Sequence, residues 1–186
     1  MKFENIELKG LDSKGKETKI KLADLKGKNI ILYFYPKDET PICTKEAGNF
    51  RDALKKLPED TIVIGVSPDN IESHKKFFEK HNLNFSILSD TEHKLAKALK
   101  NIKEDVKDKF EEGKYELDKM KNKIQNKRID MKLKHDEKEI RDKEKQPITM
   151  RSTFIIDKKG RLMKEMRDID IKGHVDEVVE FVKTLK

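Results

Sequence analysis

The chain has 186 residues, about the length of one domain. Charged residues make up 42% and hydrophobic ones 34%, so a compact core must coexist with a solvated segment. The net charge of +7 comes from 43 basic against 36 acidic side chains, a diluted surplus that reads as a lysine-rich soluble surface rather than as a nucleic-acid or membrane partner. Met1-Lys2-Phe3-Glu4 leads into polar residues with no apolar leader, and the longest apolar run, Ile30-Ile31-Leu32-Tyr33-Phe34-Tyr35, is too short to span a bilayer. A soluble, cytoplasmic protein is expected. The one cysteine, Cys43, excludes an intramolecular disulfide and a multi-cysteine zinc site, and a reducing compartment suits it.

In chain order, residues 3–22 predict a short antiparallel opening around the turn cluster Asp12-Ser13-Lys14-Gly15-Lys16. Asn29 to Tyr35 is a buried strand ended by Pro36. Ala47, Phe50, Leu54 and Leu57 space an apolar face at three and four residues, which predicts a helix from Cys43 to Leu57. A second buried strand covers Thr61 to Val66, and Asp69 is placed to cap the next helix, whose core residues are Phe77 and Phe78. Phe85 to Leu88 is a short strand, followed by a helix carrying Leu95, Ala98 and Leu99 with Ser89 or Asp90 as its cap.

From Lys100 to Lys145 the composition changes, with 16 basic and 13 acidic side chains. Ile102, Val106, Phe110, Leu117, Met120 and Ile124 recur at near-heptad spacing, and Ile129, Leu133 and Ile140 give a weaker stripe. That seam predicts a helical hairpin or a pair of long helices; a solvated, partly disordered loop is the competing reading. Past Pro147 a core pattern resumes: a strand at Thr153-Phe154-Ile155-Ile156-Asp157, a hairpin turn at Lys158-Lys159-Gly160-Arg161, a returning strand at Leu162 to Met166, and an amphipathic helix from Gly173 to Leu185 with Val175, Val178, Val179 and Val182 on one face. The order reads β-β-α-β-α-β-α, insertion, β-β-α, which implies a central mixed sheet with helices on both faces. The chain is one domain over 1–186, interrupted by the charged helical insertion at about 100–147.

The chemistry is concentrated where a buried strand turns through a proline into a helix that begins at a cysteine: Phe34-Tyr35-Pro36-Lys37-Asp38-Glu39-Thr40-Pro41-Ile42-Cys43-Thr44-Lys45-Glu46-Ala47. Free backbone N–H groups and the positive end of the helix dipole favour a thiolate over a thiol at that place, which makes the sulfur a nucleophile. The Thr40 hydroxyl can donate to the sulfur or to a bound oxygen, and Pro41 can shield the pocket. A lone cysteine is otherwise most often a small buried apolar residue.

The run from Asp38 to Ala47 resembles the peroxiredoxins, and more narrowly the bacterioferritin comigratory protein or peroxiredoxin Q subfamily, whose signature is Thr-Pro-x-Cys-Thr after an aromatic strand ending Tyr-Pro. Ile64-Gly65-Val66-Ser67-Pro68-Asp69, Ser73-His74-Lys75-Lys76-Phe77, Leu88-Ser89-Asp90 and Arg151-Ser152-Thr153-Phe154-Ile155-Ile156-Asp157 are similar to further segments of that subfamily, in the same order. The resemblance implies a thioredoxin-like α/β fold and the reduction of hydrogen peroxide and organic hydroperoxides. Cys43 would be the peroxidatic residue, becoming a sulfenic acid. Thr40 would hydrogen-bond the sulfur and the peroxide, and Arg151 would stabilise the thiolate and the leaving oxygen. Pro36, Pro41 and Glu46 would line the pocket, with Glu46 holding Arg151 or facing solvent.

Two departures matter. Many members carry a resolving cysteine five residues after the first; here that position is Gly48, so the cycle would use one cysteine and an external thiol: thioredoxin, glutaredoxin or a small thiol. The other departure is the insertion, a few tens of residues beyond the usual connection. The five histidines form no metal motif and there is no phosphate loop, so neither metal nor cofactor is expected; His74 is read as a helix-surface or capping residue. A monomer or homodimer is expected. The alternative function is a redox sensor passing oxidation from Cys43 to a partner bound at the insertion; multiple turnover separates it from an enzyme. The nearly balanced charge of the insertion argues against a nucleic-acid arm.

Overall fold

The computed structural model describes residues 5–99, 151–167, 169 and 171–185. The expected helical hairpin at about 100–147 lies outside these residues.

Two Asp-Gly turns build the edges of the sheet. Strands β1 (Glu7–Leu11) and β2 (Glu17–Lys21) pair antiparallel around a turn in which the Asp12 carboxylate accepts from the backbone N–H groups of Lys14 and Lys16 at 2.8 and 3.0 Å, while Gly15 takes φ +78°. The opening therefore holds two strands, one more than the order read from the sequence counts. At the other edge β6 (Ser152–Ile156) and β7 (Leu162–Met166) use the same device, with Asp157 accepting from the N–H groups of Lys159 and Arg161.

Between these hairpins lie β3 (Asn29–Phe34), β4 (Thr61–Ser67) and β5 (Ser86–Ser89), mutually parallel with Leu32 opposite Ile64 and Val66 opposite Leu88. Parallel neighbours need crossovers, and helices α1 (Pro41–Ala53) and α2 (Ile71–Lys80) supply them. β6 runs antiparallel beside β3, and β1 antiparallel beside β5. Among the described residues the sheet has the order β2-β1-β5-β4-β3-β6-β7. It is the expected mixed sheet.

The alternation of β3 divides the core. Ile31 and Tyr33 point into a cluster with Ala47 and Phe50 of α1, Phe77 of α2, and Val178 and Val182 of α3 (His174–Lys183). Ile30, Leu32 and Phe34 point into a second cluster with Leu95, Ala96 and Leu99, from the helical residues 94–99. A strand buried on both faces shows no polar alternation, which is why 29–34 reads as a continuous apolar run.

Several boundaries differ from expectation for local reasons. α1 begins at Pro41, because proline is preorganised for the first helical position, and its last turn tightens into a 3-10 turn at Leu54–Lys56. Asn70 caps α2, its Oδ1 accepting from the N–H of Ser73 at 2.9 Å; Asp69 faces the other way. Asp90, rather than Ser89, holds the amides of Lys94, Leu95 and Ala96. Among the described residues no helix is long and apolar enough to cross a membrane.

Candidate active site

β3 delivers the site. The N–H of Tyr35 still donates to the carbonyl of Val66 at 3.0 Å, and Pro36 then has no N–H with which to continue the ladder. The chain turns through Glu39, which takes φ +60°, a left-handed conformation uncommon outside glycine. It enters α1 with Thr40 as the extended N-cap residue and Pro41 as the first helical residue. Cys43 lies in the first turn, where backbone N–H groups lack intrahelical acceptors and negative charge is stabilised. Its side chain is 1% exposed, while the neighbouring Ile42 is 44% exposed. Pro36 and Pro41 are both exposed and bracket the loop.

Thr40 leaves the cap unmade. Its Oγ1 donates to the carbonyl of Lys37 at 3.3 Å, a long bond that a better partner can replace.

Arg151 arrives from β6. It directly precedes Ser152, the register partner of Phe34, so it stands beside the exit of β3 from which the Cys43 loop departs. Its φ is +29°, strained for a non-glycine residue, and its Nε is buried without a hydrogen-bond partner among the described residues. Glu46, one helical turn beyond Cys43, is 1% exposed, so it does not face solvent. Neither of its oxygens has a hydrogen-bond partner among the described residues, and burial pushes its carboxyl up to about 7 against the pull of Arg151. His174 of α3 places Nε2 at 3.9 Å from Glu46 Oε1 and 2.9 Å from Thr153 Oγ1. Burial pushes this imidazole down to about 4, so it is neutral at neutral pH.

On the opposite flank of the loop the Asp38 carboxylate is held on both oxygens. Asp38 is buried; Oδ1 accepts from the Tyr35 hydroxyl at 2.8 Å, and Oδ2 from the Ser73 hydroxyl at 2.7 Å. His74 Nδ1 lies 2.9 Å from Oδ2. The Asp38 N–H donates to Asp69 Oδ2 at 2.6 Å, which also accepts from the Ser67 hydroxyl. The expected surface place for His74 is therefore wrong: the side chain is fully buried. Its spacing of three and four residues to Phe77 and Phe78 was the available signal, since it puts all three on the core face of α2.

The sequence brings Cys43, Thr40, Pro41 and Glu46 together by adjacency, and the β3–β6 pairing brings Arg151 to the same end of the sheet. Sequence reasoning misses His174, Thr153 and the Asp38 network. Among the described residues no cluster of three or more His, Cys, Asp or Glu side chains could hold a metal ion.

Residues 1–165 match the profile of the AhpC/TSA family. The chain belongs to this family. Peroxiredoxin Bcp of Bacillus subtilis is 43% identical over 185 residues, covering 99% of this chain and 94% of its own. A putative peroxiredoxin bcp of Coxiella burnetii is 35% identical over 161 residues, with coverages of 86% and 84%. The crystal structure of a cysteine-to-serine variant of Xylella fastidiosa PrxQ superposes with a TM-score of 0.67 at 26% identity, covering 97% of this chain and 89% of that one. The fold is thioredoxin-like, and the peroxiredoxin is a thiol-dependent peroxidase of the Bcp/PrxQ type.

Proposed function

We propose that Cys43 is the peroxidatic residue and that it turns over without a second cysteine. The observation that carries this is its place in the first turn of α1, at the end of the sheet where Arg151 also stands. The Cys43 thiolate attacks the terminal oxygen of a hydroperoxide. An S–O bond forms, the O–O bond breaks, the sulfur is oxidised by two electrons to sulfenic acid, and the departing hydroxide or alkoxide takes a proton to leave as water or alcohol. Thr40 hydrogen-bonds the sulfur and the peroxide, and the Arg151 guanidinium stabilises charge developing on the leaving oxygen. Glu46 acts through Arg151 as its buried counter-charge, while Pro36 and Pro41 bracket the pocket.

Cys43 is the only cysteine, so the sulfenic acid is resolved from outside. An incoming thiol displaces water to give a mixed disulfide, and a second thiol releases the Cys43 thiolate. Thioredoxin, glutaredoxin or a small thiol fills that role. Hydrogen peroxide and organic hydroperoxides are the substrates, the compartment is cytoplasmic, and the assembly is a monomer or homodimer. The family match across 1–165 supports reading 1–186 as one peroxiredoxin domain interrupted at about 100–147.

The test is a steady-state hydrogen peroxide assay of wild type and Cys43→Ser with thioredoxin, glutaredoxin plus glutathione, and dithiothreitol offered separately. Turnover that vanishes in the serine variant is expected, and the donor that supports it names the reductant. Single oxidation of Cys43 with no turnover by any donor would favour the sensor instead.

A further inference from the structure

The loop that leads to Cys43 is fastened to helix α2 by side chains at both ends of that helix. Near its start, Ser73 Oγ and His74 Nδ1 meet Asp38 Oδ2 at 2.7 and 2.9 Å. At its end, Lys80 and His81 lie 2.5 and 3.3 Å from the carboxylate of Glu39, the residue held at φ +60°. Tyr35, the residue that follows β3, closes the ring through its hydroxyl on Asp38 Oδ1. Thr40 follows directly, and Cys43 three residues later.

The chemistry of Asp38 fixes the proton on His74. Burial pushes this carboxyl up, but the hydrogen bond and the electrostatic pull of His74, with the hydrogen bonds from Ser73 and Tyr35, together outweigh it and hold it below its ordinary value. Asp38 is therefore ionised at neutral pH, and a carboxylate only accepts, so His74 Nδ1 carries the hydrogen and donates it. One buried charge is thus held by three donors from two elements, all facing a backbone that must place Thr40 and Cys43. The other titratable groups around it are Asp69 on the Asp38 N–H, and Tyr33, whose phenol feels Asp38, Glu46 and Cys43.

We propose that His74 is a positioning residue for peroxide reduction: by fixing the Asp38 carboxylate it fixes the loop that presents Thr40 and Cys43 to the hydroperoxide. The inference rests on the reading of Cys43 as the peroxidatic residue. His74 acts through Asp38 and not on sulfur or substrate, and a displacement of the reacting group by about 1 Å is enough to cost roughly a hundredfold in rate.

The experiment is the second-order rate of Cys43 oxidation by hydrogen peroxide, followed by stopped flow as a function of pH. His74→Phe keeps the ring volume and removes the donor, whereas His74→Asn returns an amide N–H near the place of Nδ1. In the phenylalanine variant oxidation is expected to slow about tenfold to a hundredfold at neutral pH. Its acid limb should move to higher pH, because Asp38 keeps its burial and loses the hydrogen bond and electrostatic pull of His74. His74→Asn should restore the rate to within about threefold and return the limb towards its wild-type position. A wild-type rate and limb in His74→Phe overturns the proposal. So does equal slowing of both variants with an unmoved limb, which is the signature of lost packing alone. If His74→Phe does not fold, Ser73→Ala and Tyr35→Phe each remove one donor from Asp38 and must show the same upward movement of the limb; its absence overturns the proposal equally. Should wild-type Cys43 react no faster than a free thiol, the peroxidatic reading fails and this inference with it, and that failure is recognisable because it appears without any substitution at His74.

Discussion

Two buried carboxylates flank Cys43 and are treated in opposite ways. Asp38, 2% exposed, collects hydrogen bonds from Tyr35, Ser73 and His74 and lies below its ordinary value. Glu46, 1% exposed, collects none among the described residues and is pushed up to about 7. Burial is nearly the same, so donors rather than depth decide which side holds a fixed charge. The α2 side of the loop is a hydrogen-bonded network around Asp38 suited to holding geometry, although His74 Nε2 has no partner among the described residues. The β6–α3 side pairs a half-ionised carboxyl with the strained Arg151 and a neutral His174, an arrangement that responds when charge appears beside it.

Removing Arg151 is the largest break of that contrast. Arg151→Ala should slow Cys43 oxidation by about 10²–10³-fold, the usual loss when one preorganised electrostatic donor is deleted, while circular dichroism remains unchanged. Glu46 should then move higher still, since the pull of Arg151 is what opposes its burial. An unchanged oxidation rate would remove Arg151 from the site.

Glu46→Gln is expected to act on stability with a definite sign. The carboxyl is raised from 4.5 to about 7 on folding, so the folded protein binds more protons than the unfolded chain between those values. The stability this confers is complete below the unfolded value and is lost as pH rises through about 7. At about 1.4 kcal/mol per unit the loss is bounded at roughly 3 kcal/mol. Glu46→Gln should therefore unfold at higher denaturant than wild type at alkaline pH, with the gap closing towards pH 5. A gap independent of pH would mean that Glu46 has partners and no raised carboxyl. On the proposed role of Glu46 beside Arg151, Cys43 oxidation should slow in the same variant.

The contrast also marks what the sequence could tell. Both Asp-Gly turns, the buried strand 29–34 and the valine-faced helix from His174 are local patterns, and these hold in the structure. Arg151 is 108 residues from Cys43, and its place follows only once the β6 strand is matched to β3 by resemblance. His174 was beyond reach: α3 shows its valine face in the sequence, but nothing there says that its first residue will meet Thr153. Asp69 illustrates a different limit. An Asp one residue before a helix competes with Asn70 for the cap, and the tertiary demand of the Asp38 N–H decides between them. The role of Glu46 was open between solvent and Arg151 because Glu46 and the exposed Lys45 are neighbours on a short polar stretch; burial settles only the first half of that choice.

The smallest predicted effect uses one substitution at two positions of the same strand face. Tyr35 and Tyr33 are both fully buried, stacked with ring centroids 5.4 Å apart. The Tyr35 hydroxyl donates to Asp38, whereas that of Tyr33 has no partner among the described residues. Room for it comes from Gly65, its register partner on β4, where a Cβ would meet Tyr33 Cζ and Oη at 3.0 Å. Tyr35→Phe should cost about 1–2 kcal/mol, because it strips a donor from a buried charge, and Tyr33→Phe should be neutral or stabilise by up to about 1 kcal/mol, because it removes an unpaired buried hydroxyl while keeping the stack on Phe50. Urea midpoints at constant m-value measure both. Equal losses would show that the Tyr33 hydroxyl is hydrogen-bonded in the folded protein, and that donors, not burial alone, hold this ring as they hold Tyr35.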